Sequence, residues 1–178
     1  MDKPVELIPL VCIQCSTPVP AQPDEVAWVC SQCGQGLALD YENGLKPLEI
    51  HYASGIAPNT KGRPFWVADG QVSVQRMTYS GNQDRESQNF WSQPHRFFIP
   101  AYSCPIETVI QQGIRFLAGP PELQAGLAQA FEPVTLSGED MKALAEFVVM
   151  AVEAGRKDKL KELHFNLTLD SPSLWVLP

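Results

Sequence analysis

Residues 11 to 37, VCIQCSTPVPAQPDEVAWVCSQCGQGL, carry Cys12, Cys15, Cys30 and Cys33, four of the five cysteines in a chain of 178 residues. Their spacing is C-x2-C, fourteen intervening residues, C-x2-C. Two residues between cysteines let a tight turn aim both sulfurs at one ion, and the longer interval can run out and return as a hairpin. Two such turns brought together supply four thiolates in a tetrahedron, the donor set of a zinc site. A fourth thiolate closes the position that a catalytic water needs, so Zn2+ here is expected to be structural. Its binding, on the order of 10–16 kcal/mol, can fold a segment too small to have its own core. Iron accepts the same four-sulfur geometry. Disulfides are the third possibility, and the absence of an export signal in the opening MDKPVELIPL counts against them.

The flanking residues agree with paired metal-binding turns. Gly34 follows the second pair, where the backbone commonly turns left-handed, AWVC gives a β-prone approach to Cys30, and Pro18, Pro20 and Pro23 confine the return loop. With CIQC and CSQCG in place, residues 8 to 40 or so resemble the zinc-ribbon family. The resemblance implies a structural zinc held by the four cysteines, and it admits nucleic-acid binding as a function. Charge opposes that function here. Between Met1 and Gly44 the basic residue is Lys3, against Asp2, Glu6, Asp24, Glu25, Asp40 and Glu42, and phosphate contacts depend on Lys and Arg. The turn tips, Ile13, Gln14, Ser31 and Gln32, read instead as neutral contact surface for protein.

Other reactive groups form no recognisable constellation. There is no phosphate-binding loop, nucleotide-binding glycine fingerprint or nucleophile elbow. Cys104 precedes a helix opened by Pro105, with His95 nine residues before it. That pair could form a thiol nucleophile and its base, but an isolated cysteine ordinarily packs as a small hydrophobe. His51 and His164 fall on the polar phase of their strands.

Hydrophobic residues make up 44% of the chain and charged residues 19%, enough for one core plus a small appendage. The formal charge of −7 is unfavourable for holding a polyanion unless the basic residues gather on one face. No apolar run approaches the roughly 20 residues needed to cross a bilayer, so a cytoplasmic location without a membrane span is expected.

The elements behind the cysteines read as a second unit, giving residues 1–44 as a zinc ribbon and 45–178 as an α+β domain. LEIHY alternates as a half-buried strand. PFWVADGQVSV reads as a hairpin closed at Asp69-Gly70. Residues 80 to 95 form a long polar loop carrying Phe90 and Trp91, either a recognition loop or an excursion folding back onto the sheet. RFFIPAY is another strand. One helix follows Pro105, with Ile106, Val109, Ile110, Ile114 and Leu117 at helical spacing until Gly119. A second follows Ser137 and Asp140, with Met141, Leu144, Ala145, Val148 and Val152 on one face and Phe147, Met150 and Ala151 widening it. Lys142, Glu146, Glu153 and Lys157 remain as its polar stripe, with Glu153 and Lys157 paired on the exposed side. LHFNLTLD and SLWVLP return to strand. Strands, then helices, then strands predict an α+β fold: a four-cysteine zinc ribbon at the N-terminus followed by a mainly antiparallel sheet packed with two helices.

These features imply a non-enzymatic adaptor or assembly factor, with a protein partner or self-association. One alternative is a nucleic-acid-binding zinc-ribbon protein, which requires Arg63, Arg76, Arg85, Arg96 and Arg115 to converge. The other is an enzyme of unfamiliar type with a pocket in the α+β domain.

Overall fold

The computed structural model describes residues 8–178, so Asp2, Lys3 and Glu6, counted above in the charge of the N-terminal segment, lie outside the described residues. The chain folds as α+β: a three-stranded antiparallel sheet carrying the cysteines, a larger mainly antiparallel sheet, and three helices.

The small sheet has the order β1 (Ala27–Val29), β2 (Gly36–Asp40) and β3 (Gly44–Pro47). Strand alternation divides its residues by size. Trp28 and Leu37 turn to one side, where they join Cys12, Val19 and Cys30 in a small core. Ala27 and Ala38 turn to the other and belong to the main core, with Trp66 and Val134. Two alanines on the docking side let the sheets approach closely, and the Val26 amide completes the join by donating to Val134 O at 2.8 Å.

The large sheet is built on one strand of eighteen residues, β5 (Arg63–Ser80). The hairpin expected at Asp69-Gly70 is absent, because the chain runs straight through that dipeptide. Gly70 stands where β5 is flanked on one edge by β6 (His95–Pro100) and on the other by β7 (Lys159–Leu169). A Cβ there would sit 2.5 Å from Leu169 Cδ2 and 3.1 Å from Phe97 Cε2, so the glycine serves close packing rather than a turn. β7 and β8 (Ser173–Leu177) track the same edge of β5 in succession. Gly70 lies opposite Leu169 and Val67 opposite Ser173, and the Asp170 amide donates to Asp69 O between them. β4 (Ile50–Tyr52), the strand expected in LEIHY, pairs in parallel with β8.

Both faces of β5 are covered in its first half. Trp66 and Ala68 point towards α3 (Met141–Ala154), whose Met141, Ala145, Val148 and Val149 are buried with Phe97, Ile99, Leu167 and Leu174. Phe65 and Val67, on the opposite phase, pack with Phe98, Phe116 and Leu123. α2 (Ile106–Ala118) begins after Pro105, whose missing N–H costs a helix start nothing, and lies against α3 where Gly113 meets Val148. Ser137 accepts from the Glu139 amide and caps a 3-10 turn, Gly138–Asp140, that leads into α3. The segment joining α2 to α3 bridges to Ala53, Gly62 and Ala27, stitching the two sheets together.

The polar loop expected over residues 80 to 95 contains a helix instead, α1 (Asp84–Trp91). Its sequence, DRESQNFW, shows too short an apolar face to announce a helix. Of the two readings given to the Phe-Trp pair, the structure takes the folded-back one: Trp91 is 2% exposed, within the main core.

Candidate metal centre

The two C-x2-C turns share one backbone pattern. The Cys12 amide donates to Thr17 O and the Ser16 amide to Cys12 O, at 2.8 and 2.9 Å. The Cys30 amide donates to Gln35 O and the Gly34 amide to Cys30 O, at the same two distances. The residue after each second cysteine is left-handed, with φ of 58° at Ser16 and 75° at Gly34. Gly34 adopts this freely, while Ser16 bears the steric cost of a Cβ. In each turn the first cysteine is buried and the second exposed.

The folded turns bring the four sulfurs together, all within 4.8 Å of one another. Cys12 and Cys33 sulfurs are 3.6 Å apart, and those of Cys15 and Cys30 3.5 Å apart. Four thiolates bound tetrahedrally at about 2.3 Å from one ion stand roughly 3.8 Å from each other, so this set fits a metal ion. Cys12, Cys15, Cys30 and Cys33 would hold it, and it would cross-link the two turns. The thiols titrate unequally. Cys15 is pulled down to about 6, chiefly by Thr17, whose hydroxyl oxygen lies 3.3 Å from its sulfur. At Cys33 the Gln35 amide favours the thiolate, but desolvation and the neighbouring thiols outweigh it and push the group up to about 12.

These features define an α+β protein with a clustered four-cysteine site. No family model matches the chain, and no match was found among curated proteins or solved structures.

The remaining candidates separate. Cys104 is half-buried against the main core, and desolvation raises its thiol. His95 is engaged elsewhere, with Nε2 2.7 Å from Phe90 O and its ring stacked on Phe90 at 4.5 Å. No hydrogen bond joins the two among the described residues. His51 stacks on Trp175 and His164 contacts Glu162, so they do not meet. The arginines do not converge either. Arg76 has a side chain 1% exposed, Arg96 is held bidentately by Asp69 at 2.7 and 2.9 Å, and Arg115 lies over Phe116.

One cluster escaped the sequence reading. Glu153, expected on the exposed stripe of its helix with Lys157, is fully buried. Its Oε1 accepts from Trp91 Nε1 at 2.7 Å, its Oε2 accepts from Ser87 Oγ at 2.9 Å, and Arg156 donates to both oxygens. Arg76 Nε lies 2.7 Å from Glu153 Oε2, and its two terminal nitrogens donate to Asp158 at 2.7 and 2.8 Å. Burial opposes the ionisation of Glu153, but hydrogen bonds from Arg156, Trp91 and Ser87 outweigh it and hold the carboxyl below its usual range. Asp158 is likewise lowered, first by Arg76. The i to i+4 spacing of Glu153 and Lys157 misled because α3 ends at Ala154. The cap residue Gly155 donates to Ala151 O, and the chain turns away before Lys157 can lie on the same face. The retrievable signal was Arg76 on the inward phase of β5.

Proposed function

We propose that the protein is a non-enzymatic adaptor or assembly factor that binds other proteins, its N-terminal sheet being a zinc ribbon with structural Zn2+ on Cys12, Cys15, Cys30 and Cys33. Zinc is favoured over iron because the site lies in a chain with no electron-transfer context. The closed thiolate set leaves no open coordination position for chemistry.

The observation that carries the interaction reading is the set of large apolar side chains left exposed on α2 and α3. Ile114 adjoins Gly113 and is 37% exposed, and Phe147 adjoins Val148 and is 44% exposed. Ile106 and Met150 add to it. Large apolar side chains left in water on two packed helices offer area that a partner would bury. Ile13, 51% exposed at the tip of the first turn, supplies a second apolar point. Nucleic acid is the weaker reading, since Arg76 and Arg96 are committed to carboxylates. No helix among the described residues is long and apolar enough to cross a membrane, and a cytoplasmic location is part of the proposal.

The test is partner recovery from the native source with wild type and with Phe147→Glu, together with light scattering of both. The proposal expects a reproducible stoichiometric partner, or a wild-type oligomer, lost in the variant while metal content is kept. A monomer with no partner, or a partner retained by the variant and displaced by nuclease, contradicts it.

A further inference from the structure

The edge of β7 that faces away from β5 is open. Apart from its ladder to β5, no backbone N–H or C=O of Lys159–Leu169 has a hydrogen-bond partner among the described residues. In an antiparallel edge strand, alternate residues direct both groups outward, so β7 presents a row of unpaired donors and acceptors. The two halves of this edge differ. Towards its start, Lys159 and Lys161 and an irregularity in register opposite Thr78 discourage strand addition. Residues 163–169, LHFNLTL, contain no acidic residue, lysine or arginine.

A groove of about 390 Å³ lies beside the last four residues of that uncharged half, with Met141 and Lys142 of α3 on one side and Asn166 to Pro172 on the other. It touches Leu167 and Leu169 from the inward phase of β7 and Asn166 and Thr168 from the outward phase. Contact with both phases and with the turn at 170–172 places the groove at the free edge and C-terminal end of the strand. At Gly138 and Pro172 it adjoins a cavity of about 280 Å³ between the two sheets, lined by Val26, Ala38, Leu39, Leu48 and Trp66, with the Lys46–Glu139 ion pair, 3.8 Å apart, also on its wall. That volume is nearly twice the ~150 Å³ of an apolar cavity known to hold a benzene ring. β4 already occupies the same edge beside β8, so a strand laid along β7 lies end to end with it.

We propose that this edge and cavity form a docking site for an extended peptide segment of a partner protein, which adds as a strand to residues 163–169 and places one large apolar side chain between the two sheets. A small molecule could fill the cavity, but an outward row of amides and carbonyls repeating every two residues is matched by an extended polypeptide. Charge narrows the partner further. Lys142 and Asp170 line the groove, are exposed, and have no ion-pair partner among the described residues. The segment therefore carries an acidic side chain for Lys142 and a basic one for Asp170. This proposal rests on the protein-interaction reading and gives it a site separate from the α2–α3 surface.

The test selects linear peptides from a random phage-displayed library on the intact metal-loaded protein. The best peptide is then measured by fluorescence anisotropy, unmodified and N-methylated at alternate backbone nitrogens in each of the two phases. One phase of N-methylation is expected to weaken binding about tenfold or more per bond lost, and the other to leave it nearly unchanged. Leu48→Trp, which fills the cavity, and Lys142→Glu are each expected to weaken it about tenfold with metal content intact. Equal effects of the two N-methylation phases, or full binding to both protein variants, overturn the site. Peptides lost with Phe147→Glu instead overturn it while leaving the interaction reading standing. Protection of residues 163–169 from hydrogen exchange that rises with protein concentration overturns the peptide in favour of a second copy of the chain.

Discussion

The four sulfurs between residues 12 and 33 and the ionic cluster around Glu153 solve a similar problem by different means. Each gathers groups that gain little from one another in water. The cysteine turns are local: each pair closes within three residues, both use the same hydrogen bonds, and one metal ion would satisfy all four ligands. The Glu153 cluster draws on α1, α3, β5 and the turn after α3, and apart from the neighbouring Arg156 these partners lie 62 to 82 residues apart in sequence. Local chemistry writes itself into spacing, whereas distributed chemistry becomes visible only when the fold has assembled it. The first would depend on an ion, whereas the second depends on every element around it.

The largest effect expected separates the two directly. Cys30→Ser is expected to abolish the proposed stoichiometric metal binding and to unfold the small sheet, seen as loss of hydrogen-exchange protection across β1 and β2. Because Ala27 and Ala38 are part of the main core, the melting temperature of the remainder falls too. Glu153→Ala, by contrast, keeps the metal but lowers stability by about 3–5 kcal/mol in denaturant titration, since Arg76 and Arg156 are left without their shared carboxylate. A Glu153→Ala chain that loses its metal would show that the two regions are not separable.

Acid sharpens the distinction. Glu153 and Asp158 have folded-state pKa values below those of the unfolded chain. Their contribution is therefore complete above the ordinary carboxylate range of about 4 and disappears as pH falls through the lower folded values. The stability gap between wild type and Glu153→Gln is expected to be constant near neutrality and to shrink below about pH 4. A gap that widens on acidification would contradict this.

Smaller effects test the two glycines that the sequence reading weighed differently. Gly70→Ala is expected to cost about 1–3 kcal/mol by overpacking against Leu169 and Phe97, with metal content unchanged. At the turns, Gly34→Ala has open space for its methyl group and should cost about 1 kcal/mol from its left-handed backbone alone. Ser16→Gly should be neutral or stabilise by up to about 1 kcal/mol, as relief of the same strain offsets the added chain entropy. Equal responses at residues 16 and 34 would contradict the backbone equivalence of the turns.

The legible parts of the molecule were those with a short-range signature. The C-x2-C pairs named the cluster, helical periodicity named α2 and α3, alternation placed β4 and β7, and short apolar runs placed β6 and β8. Asp69-Gly70 was misread because a glycine demanded by a neighbour's side chain looks the same in sequence as one demanded by a turn. α1 was missed because its eight residues offer few apolar positions and its docking depends on a carboxylate more than sixty residues away. Glu153 was placed in water by a periodicity that continues past the end of its helix.

The central claim is that four thiolates between residues 12 and 33 hold one structural zinc ion. Native mass spectrometry with elemental analysis of the purified protein tests it most directly. The expected result is one zinc per chain, removed by a strong chelator together with the order of β1 and β2. A chain without zinc, or one with disulfide bonds among Cys12, Cys15, Cys30 and Cys33, would contradict it.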